Sequence, residues 1–352
     1  MRISTRKAAA FVLAGALALS ACGEAPEEEE AAGEEEVDFA GCQVTDTGGI
    51  DDRSFNQTVW EGFQRAEEDF GIEISNLESS SESDYEPHIN TFLDQGCDLI
   101  VTVGFLLGDA TEAAAVANPD SNFAIIDYSY ETEHENLLGM LFATDEGAFL
   151  AGYAAAGMTE TGSVGTWGGV QIPPVTAFMD GYLAGVRYYN QENGTEVEVL
   201  GWDGESGVFT NDFDAQDLGA NVTSDLLQNG ADIIMPVAGP AGLGTATAID
   251  SFGSGKMIWV DTDGYESTDF GSIILTSVQK RMDNAIYDVI SGMIDGEFEG
   301  GTYIGTLENE GVGLAPFHDF DGDVPQELKD ALDEIREGII SGDISTSPAD
   351  YS

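Results

Sequence analysis

The sequence predicts an α/β fold of two lobes, each a doubly wound parallel sheet with helices on both faces. Three observations carry that expectation. Short apolar runs alternate with amphipathic stretches from Cys42 onward, and strands joined by helices in this way lie parallel. The alternation restarts near residue 162 as a second series of similar size, without evident sequence similarity to the first. At 352 residues the chain is long enough for two compact cores.

In the first series QVTD reads as a strand and SFNQTVWEGFQRAEEDF as the helix after it, with Phe55, Val59, Phe63, Ala66 and Phe70 at helical spacing. GIEISNLES, DLIVTVG and NFAIIDY are further strands, separated by the helices EPHINTFLDQG and LGDATEAAAVAN. LLGMLFATDEG holds a fifth strand and leads into the helix GAFLAGYAAAGMTE. The second series opens with the strand GSVGTWGG and the helix TAFMDGYLAGVRYYNQ, followed by EVEVLGWDG and DAQDLGANVTSDLLQNG. ADIIMPVAG, KMIWVDTD and SIILTSV are its later strands, and VPQELKDALDEIREGIISG is the closing helix. Pro173 and Pro174 fix the loop that enters the first helix of this series.

The first 21 residues read as a lipoprotein signal peptide. Arg2, Arg6 and Lys7 precede an apolar stretch, residues 8–19, that is too short to span a bilayer. Leu19-Ser20-Ala21-Cys22 looks like a bacterial lipobox, which predicts cleavage before Cys22, its acylation, and anchoring on the extracytoplasmic face of the cell membrane. An ordinary secretory signal is the plainer alternative. Residues 22–40, rich in Glu, Ala and Gly without apolar periodicity, read as a disordered tether. Cleavage would leave eight Lys and Arg against 66 Asp and Glu, moving the formal charge from −55 to −58. Such a charge argues against a nucleic-acid partner. It favours solubility, creates self-repulsion that salt relieves, and suits a saline habitat. Besides the acylated Cys22, two cysteines remain, Cys42 and Cys97, each opening an apolar run. If those runs are neighbouring strands, the sulfurs can meet as a disulfide, which persists outside the membrane. Two unpaired thiols are the alternative.

Ligands of open parallel sheets bind beyond the carboxyl ends of the strands. Asp46, Asp127, Asp261 and Asp263 fall at such ends, Gly239 ends MPVAG, and Lys280 follows SIILTSVQ. One strand-end carboxylate is commonly a helix cap, but strand ends in both lobes point to a shared site. The loop VTDTGGIDDRSF adds Gly48 and Gly49, which allow a sharp turn, and Asp51 or Asp52 to cap the next helix. Phe55, in the first turn of that helix, can face the crevice, although its spacing with Val59 also suits the core. A phosphate cradle fails on charge, with Arg53 alone against three aspartates and neither glycine-rich phosphate motif present. Carboxylates and ring faces instead suit a neutral, flat ligand rich in hydrogen-bond donors. Lys280 is read as paired within the site rather than exposed. Trp167, Gly168 and Gly169 form a tight turn near the hinge or line the crevice.

VTDTGGIDDRSFNQTVWEGFQRA, GTWGGVQIPPVTAFMDGYLAGVRYY, NGADIIMPVAGPAGLG, IWVDTD and ILTSVQKRMDNAIYD together resemble, in the same order, motifs of the basic membrane protein family. These are substrate-binding lipoproteins of ABC transporters, and their best understood members are purine nucleoside receptors. The likeness runs from about Val44 to Ser341. It implies the type I periplasmic-binding class, two lobes joined by a hinge, with a nucleoside ligand, permease and ATPase partners, a monomeric state and no cofactor. By this resemblance Phe55 stacks on the base and Phe213 supplies the second aromatic, with Phe209 as its rival. Asp46 and Asp127 would hydrogen-bond the base, Asp261 and Lys280 would hold the ribose hydroxyls, and Gly239 would lend a backbone group. Asn56 would add a polar contact or a cap. Ala215 stands where the family often has an acid, and Arg53 where Lys is common. The expected lobes are residues 41–143 plus about 265–300, and 144–264 plus about 301–352.

Enzyme chemistry finds little support. His88, His134 and His318 are scattered without metal-ligand spacing, and no G-x-S-x-G elbow occurs. A nucleosidase would be expected to carry an aspartate-rich metal cluster. DFDGDVP, with Asp319, Asp321 and Asp323, begins like a calcium loop but has Val324 where glycine belongs and Asp330 in the final position. It reads as a solvated turn. Two further readings stay open, a binding protein for another neutral molecule such as a sugar or furanosyl signal, and a ligand-sensing lipoprotein.

Overall fold

The computed structural model describes residues 37–351. The expected signal peptide, Cys22 and most of the expected acidic tether lie outside those residues. Among the described residues no helix is long and apolar enough to cross a membrane.

A first sheet is started by β1 (Ala40–Val44), β2 (Glu73–Leu77), β3 (Leu99–Val103), β4 (Asn122–Ile126) and β5 (Leu137–Phe142). Their connections carry α1 (Phe55–Phe70), α2 (Tyr85–Gln95) and α3 (Gly108–Ala117). The chain then crosses over through α4 (Thr144–Met158) and builds a second sheet from β6 (Ser163–Gly168), β7 (Glu198–Leu200), β8 (Ile233–Val237), β9 (Lys256–Asp261) and β10 (Ile274–Lys280). Helices α5 (Pro173–Asn193), α6 (Gln216–Gln228), α7 (Leu243–Phe252) and the single turn α8 (Gly264–Ser267) connect these strands. After β10 the chain returns through α9 (Met282–Ile294) to β11 (Gly301–Gly305). It crosses a third time to β12 (Val312–Leu314) and α10 (Gln326–Ile340).

The strand orders are β11-β5-β4-β3-β1-β2 and β12-β10-β9-β8-β6-β7, so the two sheets repeat one plan. All pairings are parallel except β10 with β12. The central strands β3 and β8 are buried at every position, and their near-continuous apolar sequences LIVTV and IIMPV follow from helices covering both faces. The edge strand β2 is polar and partly exposed. Helix α1 buries Val59, Phe63 and Ala66 and stops at Gly71, whose left-handed φ of 69° ends the helix without a Cβ penalty. Helices α4 and α5 approach so closely that a Cβ on Gly152 would overlap the Tyr182 carbonyl, which explains the small residues along GAFLAGYAAAG.

Strand pairing moves the expected lobe boundaries. The segment 274–280 pairs with β9 and belongs to the second sheet, and only from α9 does the chain rejoin the first. There α9 packs on α1, with the Arg65 guanidinium 3.5 Å from the centre of the Tyr287 ring. Residues 301–305, expected in the second lobe, extend the first sheet beside β5. At the other end Phe39 is buried and Ala40 opens β1, so these two residues, expected in the tether, belong to the folded part. Adjacent β1 and β3 bring Cys42 and Cys97 together as a disulfide, with the Cα atoms 6.1 Å apart.

Candidate functional site

The carboxyl ends of β1, β3 and β4 in the first sheet and of β8, β9 and β10 in the second line one cleft. It takes in about 630 Å³ of space, the solvent at its open mouth included. Asp46, Phe55, Asn56 and Asp127 reach it from the first lobe. Phe213, Gly239, Asp261 and Lys280 reach it from the second. Asp263, the other strand-end carboxylate, is not in the lining: it caps α8 by accepting from the Tyr265 amide and pairs with His318 Nε2 at 2.7 Å.

Asp127 and Asp261 follow or end the equivalent strands β4 and β9, and both hold left-handed backbone, φ 68° and 72°. Non-glycine residues adopt that conformation at a cost, and functional sites concentrate it. Lys280, the last residue of β10, is 1% exposed and places Nζ 2.5 and 2.6 Å from the two Asp127 oxygens. The same ammonium lies 4.6 Å from the centre of the Phe55 ring, in cation–π range. Across the cleft, Ser54 donates its hydroxyl to Asp261 Oδ2 at 2.6 Å. Burial pushes the Asp261 carboxyl above its ordinary range, with the Lys280 charge and the Ser54 bond opposing the shift.

Asp46 Oδ1 accepts from Asn56 Nδ2 at 2.8 Å and from the Gly48 amide at 2.9 Å. Its pKa is raised by burial, with the Asp127 charge adding to the shift and those two hydrogen bonds opposing it. Asp52, two residues before the N-cap Ser54, accepts the backbone amides of Ser54, Asn56 and Gln57 at the start of α1, and burial pushes it up to about 7 despite those bonds. Asp51 makes no such contact and is exposed. Trp259 Nε1 and Ser267 Oγ both donate to the carbonyl of Arg53, which itself sits at φ 57°, so the turn before α1 is hooked onto the second lobe.

The two rival aromatics separate on steric grounds. Phe213 lies over Gly169 and lines the cleft. Phe209 lies against Gly168 and packs edge-on to Trp202, away from the lining. Trp167 is fully buried and donates to Thr223, so the W-G-G stretch seats the rings rather than forming the wall. Pro174 does more than set the loop, since it stands in the lining as well as in the first turn of α5. Sequence reasoning did not single out Phe105, Leu106 and Phe178, which complete the apolar wall. Gly104, closing DLIVTVG, was the signal for the first two, because a glycine at a strand end marks a close approach.

A family model described as "ABC transporter substrate-binding protein PnrA-like" matches residues 40–346. The chain is 32% identical to the ABC transporter nucleoside-binding protein BmpA of Lactococcus lactis subsp. cremoris, over 96% of this chain and 95% of that one. It is 34% identical to basic membrane protein A of Borreliella burgdorferi, over 84% of each chain. Among solved structures, an ABC transporter solute-binding protein from Aeropyrum pernix K1 superposes with a TM-score of 0.80 at 28% identity, over 87% of this chain and 92% of that one. The architecture of two linked parallel sheets is that of type I periplasmic binding proteins.

Proposed function

The chain belongs to the PnrA-like family of ABC transporter substrate-binding proteins, and from that premise we propose that it captures a purine nucleoside in the cleft while anchored through Cys22. A protein of this family hands its solute to the permease and ATPase subunits of an importer, and the family is not an enzyme class.

The observation that carries the ligand choice is the Lys280–Asp127 pair. Lys280 is the single cation lining the cleft among the described residues, and it is already held by a carboxylate. What remains for a guest is ring surface, from Phe55 and Phe213 above all, and carboxylate oxygens that accept hydrogen bonds. A base with N–H donors and a ribose with hydroxyls match that surface, whereas a phosphate would meet uncompensated anions. The Lactococcus relative, a nucleoside-binding protein by name, agrees with this choice.

Each lobe carries half of the contacts, so a guest touching both favours the arrangement in which the halves meet. The protein works as a monomer in this reading, and the closed shape is what the permease recognises.

A thermal-shift panel of inosine, guanosine, adenosine, ribose, galactose and inosine monophosphate tests the assignment. Specific ligands raise the melting temperature by mass action, so the nucleosides should stabilise and the nucleotide should do so less. Stabilisation by a sugar or the nucleotide alone would overturn the nucleoside reading. Metabolic labelling with a palmitate analogue, lost in Cys22→Ala, tests the anchor.

A further inference from the structure

Asp52 lies against the cleft, and in its ionised form every hydrogen bond of its carboxylate is made within the protein. Its Oδ1 accepts the amides of Ser54 at 3.0 Å and Gln57 at 3.1 Å. Its Oδ2 accepts the Asn56 amide at 2.7 Å and Asn56 Nδ2 at 3.0 Å. Four donors converge on a residue that is 2% exposed. Two of those bonds satisfy amides in the first turn of α1, which is all a cap needs, and a third holds the Ser54 amide just before it.

The fourth bond has a different consequence. Asn56 Nδ2 carries two hydrogens, and its other partner is Asp46 Oδ1 at 2.8 Å. Both hydrogens are therefore held between two carboxylates, and turning the amide over would set its oxygen against both. That oxygen, Asn56 Oδ1, is buried without a partner, so the carboxylates and not an acceptor bond of its own fix the amide. Asp46 Oδ1 is in turn filled by Asn56 and Gly48, which leaves Oδ2 with no donor among the described residues. Oδ2 stands beside Gly104, which the Phe55 ring also approaches, and all three residues line the cleft.

Resting on the reading of this cleft as the ligand site, we propose that Asp52 is a positioning residue for capture. Acting through Asn56, it holds Asp46 so that Oδ2 is offered to an N–H or O–H of the guest. Asp52 itself touches no ligand. Without it the Asn56 amide is free to rotate, and Asp46 can turn its bonded edge to the cleft.

Double-mutant cycles read by titration calorimetry with inosine decide the matter. Asp46→Asn, Asp52→Asn and Asn56→Ala should each weaken binding about tenfold or more. In Asp46→Asn/Asp52→Asn and in Asp46→Asn/Asn56→Ala, the second change should add less than about threefold, because the residues act as one unit. A purely structural role for Asp52 would give losses that multiply, and that result, or wild-type binding by Asp52→Asn and Asn56→Ala, overturns the proposal. Asn56→Ala keeps the three backbone bonds to Asp52, so it cuts the link to Asp46 even if Asp52→Asn fails to fold. Should the wild type bind no nucleoside, the nucleoside reading falls by itself. Positioning is then decided on the ligand-free protein by two-dimensional proton–nitrogen spectra. Asp52→Asn should displace the Asn56 side-chain amide resonances from their wild-type positions, as should Asp46→Asn if both carboxylates hold that amide. Unchanged resonances in both variants overturn it.

Discussion

The ammonium of Lys280 and the carboxylate of Asp127 form a two-oxygen contact, 2.5 and 2.6 Å, that ties the end of β10 in the second sheet to the residue after β4 in the first. The side chains are 1% and 10% exposed. Removing one partner of such a pair strands the other's charge away from water. Lys280→Met should therefore lower stability by about 3–5 kcal/mol. Lys280→Met/Asp127→Asn should recover most of that loss, because neither charge is then left behind. Denaturant titration of the three proteins checks this, and equal losses in the single and double variants would refute it.

Phe55 presents its ring to the cleft under the same ammonium, and Asp127 stands beside it. Phe55→Ala and Asp127→Ala should each weaken nucleoside binding by at least ~1.4 kcal/mol, about tenfold. Calorimetric titration of folded variants reads the loss directly. Wild-type affinity in both would remove these residues from the site.

Much of this architecture was legible because parallel sheets covered on both faces write their strands as apolar runs and their helices as periodic ones. Asp46, Asp127 and Asp261 could be found as strand-end carboxylates by topology alone. Which sheet a strand joins was not legible. The segment ILTSVQK reads the same whether it pairs with β9 or lies beyond β5, and only tertiary hydrogen bonding decides. Phe178 was hidden for a related reason, since an apolar residue on a buried helix reads as core whether it faces a sheet or a cleft. The choice between Phe209 and Phe213 depended on which ring settles over Gly168 and which over Gly169, a matter of three-dimensional fit. Asp52 was legible as one of two possible caps, but its connection to Asp46 through Asn56 depends on rotamers no spacing rule encodes.

Cys42 and Cys97 close a loop with a sequence separation of 55 inside the first sheet. A crosslink of that span restricts the unfolded chain and should contribute about 2–4 kcal/mol. Cys42→Ala/Cys97→Ala should lower the denaturation midpoint accordingly while leaving nucleoside affinity within about twofold, because neither cysteine lines the cleft. A large loss of affinity at unchanged stability would contradict both halves of this expectation.

Asp52 sets the direction of the pH dependence. Its carboxyl is pushed up to about 7 in the folded chain from an ordinary value of 3.8, chiefly by burial. Between those values the folded state keeps a proton that the unfolded chain releases, so stability falls as pH rises. The contribution is full below the unfolded value, declines through the folded one, and is level above it. Asp46 and Asp261, also raised by burial, act with the same sign. Self-repulsion of a chain with formal charge −55 runs the same way, but 1 M salt shortens its range to about 3 Å and leaves buried groups less affected. In 1 M salt the melting temperature should therefore decline from pH 4.5 to 7.5. Asp52→Asn, less stable in absolute terms, should decline less steeply because that position no longer titrates. Calorimetric scans of both proteins across this range make the comparison, and parallel slopes would mean that the proton is held elsewhere.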